Sequence, residues 1–234
     1  MRDAVPDRVA GLEVELDRIA GLLAPLDEPG WQRPVPACPG WSVSDLVGHL
    51  GGIHRWVVVA VRDGHGRDAP PAPPAQRLAD WFDVGARELR AELAVDPQAP
   101  AWSFHPPLQV VAFWQRRQLH EHVVHRVDLE QALGLPVTPV PAEVAADGLA
   151  EVVEVFLPRR LGSGRLDPLP AAIALRCTDT GDRVVLGDGE PAAELSGAAA
   201  DLYLALWKRR GSEGLVWSGD AALGRQVFAM PLSS

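Results

Sequence analysis

The sequence predicts an α+β protein, an antiparallel four-helix bundle followed by a small α+β domain. Apolar residues recur at helical spacing in four segments before residue 134. A proline-rich stretch, LPVTPVP, then interrupts the chain at 135 to 141. Beyond it AAIALRCTDT and DRVVLGD, two short apolar runs sharing a Thr-Gly-Asp turn, read as a hairpin. These changes of texture divide the chain into residues 1–137 and 138–234.

The first helix covers residues 4 to 26, with Val9, Leu12, Leu16, Ile19, Leu22 and Leu23 on its apolar side, and ends at Asp-Glu-Pro-Gly. After the loop RPVPACPGW, Ser42 is placed to cap a second helix from Val43 to about Arg62, with Asp45 at the third helical position. GHGRDAPPAPPAQ is a loop on its Gly and Pro content. Leu78, Trp81, Phe82, Leu89 and Leu93 predict a third helix over 76 to 95, and a fourth runs from about Leu108 to Leu133, closed by Gly134. In the second domain a helix at 142 to 157 precedes the hairpin. SGAAADLYLALWKRR, with Ser196 as a possible cap, the strand LVWSG and the closing helix DAALGRQVF follow.

With 234 residues and 47% hydrophobic content, the chain can bury a core without disulfides. A net charge of −9 argues against charge-driven binding to nucleic acid or to an anionic membrane. The N-terminus is charged from its second residue, unlike a secretory signal, and the apolar run WVVVAV at 56 to 61 is too short to span a bilayer. Cys38 and Cys177 lie far apart, so a cytoplasmic protein with free thiols is expected. Lys208 is the one lysine among 22 basic residues, a bias typical of a GC-rich genome.

The fourth helix carries HEHVVHRVDLEQALG at 120 to 134. Glu121 and His125 stand four residues apart, the spacing that brings two helix side chains together as metal ligands. At about 100° per residue they share a stripe with Val110, Trp114 and Ala132, whereas His120 and His122 turn away to either side. On the second helix His49 shares a stripe with Leu46, Ile53, Trp56 and Ala60, and His54 falls about 140° away, toward solvent. Two imidazoles and one carboxylate from facing helices make a three-ligand site for a borderline divalent metal, with a position open to water or substrate.

Blander readings exist for each residue. A histidine on an apolar stripe is commonly a satisfied core residue, and Glu121 with His125 could be a helix-face pair. Taken together the three are more telling, because an unpaired buried glutamate is costly to desolvate. Asp128 divides between orienting a ligand and simple packing, and Arg126 reads as a surface or interdomain residue. Cys38 reads as a structural thiol, and His65 and His105 as solvated loop residues. Trp41, Trp56 and Trp114 serve core packing, with one or two able to line a pocket.

CPGWSVSDLVGHLGGIHRW at 38 to 56, HEHVVHRVDLEQALG, and the tail LRCTDTGDRVVL, SGAAADLYLALWKRR and VWSGDAAL together resemble the mycothiol-dependent maleylpyruvate isomerase family of DinB-like metal proteins. The resemblance implies that His49, Glu121 and His125 bind the metal, usually zinc, and that a low-molecular-weight thiol takes the open position and ionises there. It implies mycothiol as that thiol, in keeping with the lysine-poor composition. The implied reaction is S-transfer to, or thiol-assisted isomerisation of, a small electrophile. The family's catalytic arginine in the C-terminal domain corresponds most nearly to Arg225. The expected partners are thus the thiol and a small electrophile, for a monomer or homodimer. Two other functions compete. One is a non-catalytic binding or regulatory protein stabilised by its metal, and the other is a metal hydrolase, for which no general base stands near the ligands in sequence.

Overall fold

The computed structural model describes residues 6–66, 71–74 and 77–233. Residues 4 and 5 of the predicted first helix, residue 76 of the third and part of the GHGRDAPPAPPAQ loop lie outside them. Two compact units divide the chain, one spanning Asp7–Thr138 and the other taking the residues from Pro139 onward.

The first unit contains α1 (Arg8–Leu23), a single turn α2 (Glu28–Trp31), α3 (Val43–Arg62), α4 (Leu78–Leu93) and α5 (Val111–Leu133). Local chemistry sets their ends. Asp7 accepts the backbone N–H of Ala10 at 3.0 Å to start α1. At the head of α3, Ser42 and Asp45 form a reciprocal capping box. Gly134, with φ of 72°, closes α5 in the left-handed conformation that glycine adopts without penalty.

The helices pack chiefly in the pairs α3 with α4 and α1 with α5, and α1 also meets α4 while α3 meets α5. Leu12, Leu16, Ile19, Leu46, Phe82 and Leu119 fill the space between them. Each such side chain contributes about 1.5–3 kcal/mol by leaving water. Helix α5 touches α1, α3 and α4, and every residue from Phe113 to Glu130 except Glu121 is buried.

That central position overturns two expectations. His54 does not face solvent but is fully buried against Phe82, because α3 has α4 on the side away from His49. Arg126 is not a surface residue either. It is fully buried, with Nε 2.5 Å from Glu15 Oε2 and Nη1 2.6 Å from Glu130 Oε2. A helix enclosed on several sides has no single buried stripe, so one-sided phasing misplaces its remaining faces. His65 and His105 are half-buried rather than solvated, and His105 lies parallel to Phe113.

The second unit begins with α6 (Ala142–Glu151), a π-helical turn (Val152–Phe156) and α7 (Leu157–Gly162). The widened turn precedes Pro158, which has no N–H to give and whose ring crowds the carbonyl four residues back. Four strands follow, β1 (Ile173–Cys177), β2 (Arg183–Leu186), β3 (Ala193–Gly197) and β4 (Val216–Gly219), in the order β2-β1-β3-β4. β1 and β2 form the expected antiparallel hairpin, turned at Gly181 with φ of 79°. β3 was not expected; it runs parallel to β1, with Leu175 beside Leu195, and antiparallel to β4. Ser196 lies in β3 and does not cap α8 (Ala199–Leu206). Asp179 accepts the Ala199 N–H instead, at 3.0 Å. α9 (Ala221–Ala229) is capped by Asp220. Among the described residues no helix is long and apolar enough to cross a membrane.

Candidate metal centre

The capping box at Ser42 fixes where α3 starts, and less than two turns later His49 meets α5. Its Nε2 lies 2.9 Å from Glu121 Oε1. One turn along α5, His125 Nε2 approaches the same oxygen at 3.3 Å. The two imidazole rings stand nearly edge to face, their centroids 5.2 Å apart. Their donor atoms lie within 4.8 Å of one another, close enough for one ion. Among the described residues no fourth histidine, cysteine, aspartate or glutamate completes this group.

His125 and Glu121 are each held from behind. Asp128 Oδ2 accepts from His125 Nδ1 at 2.8 Å, which leaves Nε2 to face the carboxylate. Cys38 Sγ stands 3.7 Å from that same Asp128 oxygen, so its loop closes on the outer side of His125. Arg117 Nη2 donates to Glu121 Oε2 at 3.1 Å. Trp41 lies 5.1 Å from His49 and nearly parallel to His125 at 6.4 Å, an aromatic wall beside both. Trp56 meets Trp102 and Trp114 edge to face and lies parallel to Phe104, in a separate aromatic cluster.

The charges follow from these contacts. Burial would raise the Glu121 carboxyl, but hydrogen bonds from His125 and His49 and the charge of Arg117 hold it well below the usual carboxylate range. Burial would lower His125, yet Asp128 and Glu121 outweigh that and push it up to about 9. A carboxylate oxygen enclosed by two imidazole nitrogens, with His125 and Glu121 braced from their far sides, is a donor set that suits a borderline divalent metal such as zinc.

The other histidines stand apart from this group. His122 and His54 are fully buried and meet each other, Nε2 to Nε2, at 2.8 Å. His122 Nδ1 donates to the Gln118 carbonyl at 2.7 Å, which leaves its Nε2 to accept from His54. Burial holds both in the neutral form, His122 at about 4 and His54 well below 6.5. His120 is fully buried and joins no candidate metal-binding group among the described residues. Arg225 lies exposed on α9 in the second unit, with Nη1 3.4 Å from the Ala221 carbonyl.

Arg117 was missed in the sequence, although its spacing of four from Glu121 was a visible signal. The hold of Cys38 on Asp128 had no signal, because 90 residues separate them.

Two family models match the chain. One described as the mycothiol maleylpyruvate isomerase N-terminal domain covers residues 12–130, and one described as the MDMPI C-terminal domain covers residues 143–226. Two uncharacterized proteins, from two strains of Mycobacterium tuberculosis, are each 30% identical over 225 residues, spanning 86% of this chain and 85% of their own. Among solved structures, mycothiol-dependent maleylpyruvate isomerase aligns with a TM-score of 0.64 at 14% identity over 92% of this chain and 93% of that one. A histidine mutant of that enzyme aligns over the same shares with a TM-score of 0.65 at 15% identity. The structural likeness establishes a shared fold, and the sequence matches establish more: the chain belongs to the mycothiol maleylpyruvate isomerase family.

Proposed function

We propose that the chain is a metal-dependent enzyme that uses a low-molecular-weight thiol, mycothiol, for S-transfer to, or thiol-assisted isomerisation of, a small electrophile. The observation that carries this reading is the convergence of His49, Glu121 and His125 without a fourth protein ligand among the described residues. A structural site closes its metal with four protein ligands, whereas three leave room for a reactant.

When bound, a divalent ion such as zinc would lower the pKa of a thiol in the open position, so that the thiolate is present at neutral pH. The chain's own residues prepare that position. Asp128 selects the nitrogen His125 presents, and Arg117 anchors Glu121. Trp41 covers one side of both imidazoles with an apolar surface. The packing of α1, α3, α4 and α5 supports a DinB-like antiparallel bundle as the scaffold. We assign Arg225 a role in the reaction through the family resemblance, and a cytoplasmic location through the use of a cytoplasmic thiol.

The test is incubation of zinc-loaded protein with mycothiol and a panel of electrophiles that includes maleylpyruvate, followed by mass spectrometry and absorbance. Turnover that needs both zinc and mycothiol is expected. Metal uptake with no turnover and no thiol binding would point instead to a metal-stabilised binding or regulatory protein.

A further inference from the structure

We propose that Arg117 is a positioning residue of the metal centre, holding Glu121 so that only one carboxylate oxygen is offered to the cation. This inference rests on the metal reading above and deepens it. Arg117 sits one helical turn before Glu121, and their side chains are 4% and 18% exposed. The two carboxylate oxygens are divided between different neighbours: Oε2 takes Arg117 Nη2 at 3.1 Å, and Oε1 takes both imidazoles.

A carboxylate with both oxygens free is able to chelate a cation through the pair. Holding Oε2 on a guanidinium removes that mode. Arginine suits the task because it never gives up its proton and has no lone pair with which to compete for the metal. Its stem is fixed by burial, so the carboxylate cannot swing without breaking the pair.

The charge of Arg117 has a second effect. Glu121 and Asp128 supply two negative charges, which a divalent ion between neutral imidazoles would cancel. Arg117 adds one positive charge beside them and leaves the site in need of one anion. A thiolate supplies that charge and a neutral thiol does not, so Arg117 favours ionisation of the thiol in the open position. A merely structural ion pair would affect folding but neither the number of ligands nor the ionisation of a bound thiol.

The experiment loads wild type, Arg117→Lys, Arg117→Gln and Arg117→Met with cobalt(II), whose visible spectrum reports ligand number. Each protein is then titrated with pH in the presence of 2-mercaptoethanol, and the thiolate-to-cobalt charge-transfer band is followed. Wild type and Arg117→Lys should share a strong visible spectrum. Arg117→Met should show a weaker one, bind cobalt about 10- to 100-fold less tightly, and develop the thiolate band about one pH unit higher. Arg117→Gln keeps most of the bulk and lacks the charge, so it carries the band-shift measurement should the Met variant fail to fold. Unchanged spectra, affinities and band positions in the uncharged variants overturn the role of Arg117 alone. Wild-type protein that takes up no cobalt overturns the metal reading and this inference with it.

Discussion

Asp128 Oδ2 lies 2.8 Å from Nδ1 of His125, and this bond decides which ring nitrogen His125 turns toward Glu121. Removing the acceptor frees the ring to rotate. Asp128→Ala should lower zinc affinity about 10- to 100-fold, measured by competition with a chromophoric chelator. Asp128→Asn retains an acceptor for the imidazole N–H and should lose less.

Substitution of the ligands should separate the histidines cleanly. His49→Ala, Glu121→Ala and His125→Ala should each abolish stoichiometric zinc binding in metal analysis of the folded protein. His54→Ala and His122→Ala should keep about one zinc per chain. They should instead lose about 1–3 kcal/mol of stability to denaturant, because each leaves its buried partner unsatisfied.

Metal binding should be linked to pH through His125. In the metal-free protein this group titrates at about 9, so at neutral pH it carries a proton that a metal must displace. Calorimetry in buffers of different ionisation enthalpy should find release of about one proton per zinc at pH 7. Affinity should rise about tenfold per pH unit until about pH 9 and then level off. Without metal, the raised value means that protonated His125 stabilises the fold fully below its ordinary value of 6.5, a contribution lost as pH rises through about 9.

The His54 and His122 pair should make the fold sensitive to acid. Both are held neutral in the folded protein, so the unfolded chain takes up the protons that the native one refuses. Stability should fall as pH drops below 6.5 and go on falling toward about 4, where His122 finally charges. Urea midpoints measured over this range should decline less in His122→Phe than in wild type, once the variant's own stability is subtracted.

The helices of the first unit were legible because each end carries its own local code: Ser42 with Asp45 at the start of α3, Gly134 at the end of α5. The meeting of Glu121 with His125 was legible because the two lie on one helix at a spacing that brings them together. His54 and Arg126 were misplaced because the helical period gives angles about an axis but not how many neighbours surround that axis. β3 was hidden in EPAAELSG, a stretch with no β-branched residue, which becomes a strand only because β1 and β4 flank it on both sides.

Arg126 offers a check on the central position of α5. Its guanidinium pairs with Glu15 on α1 and Glu130 on α5, while Glu130 also accepts from the Thr138 backbone N–H at 3.0 Å. Arg126→Ala would take the shared guanidinium from two buried carboxylates and should cost about 3–5 kcal/mol in chemical denaturation. A surface arginine would cost well under 1 kcal/mol.

X-ray absorption spectroscopy at the zinc edge, recorded with and without mycothiol, tests the open three-ligand site most directly. A site of His49, Glu121 and His125 should show nitrogen and oxygen neighbours alone before the thiol is added, and one sulfur neighbour at about 2.3 Å afterwards. A shell that already contains four protein ligands, or that gains no sulfur with saturating mycothiol, would contradict it.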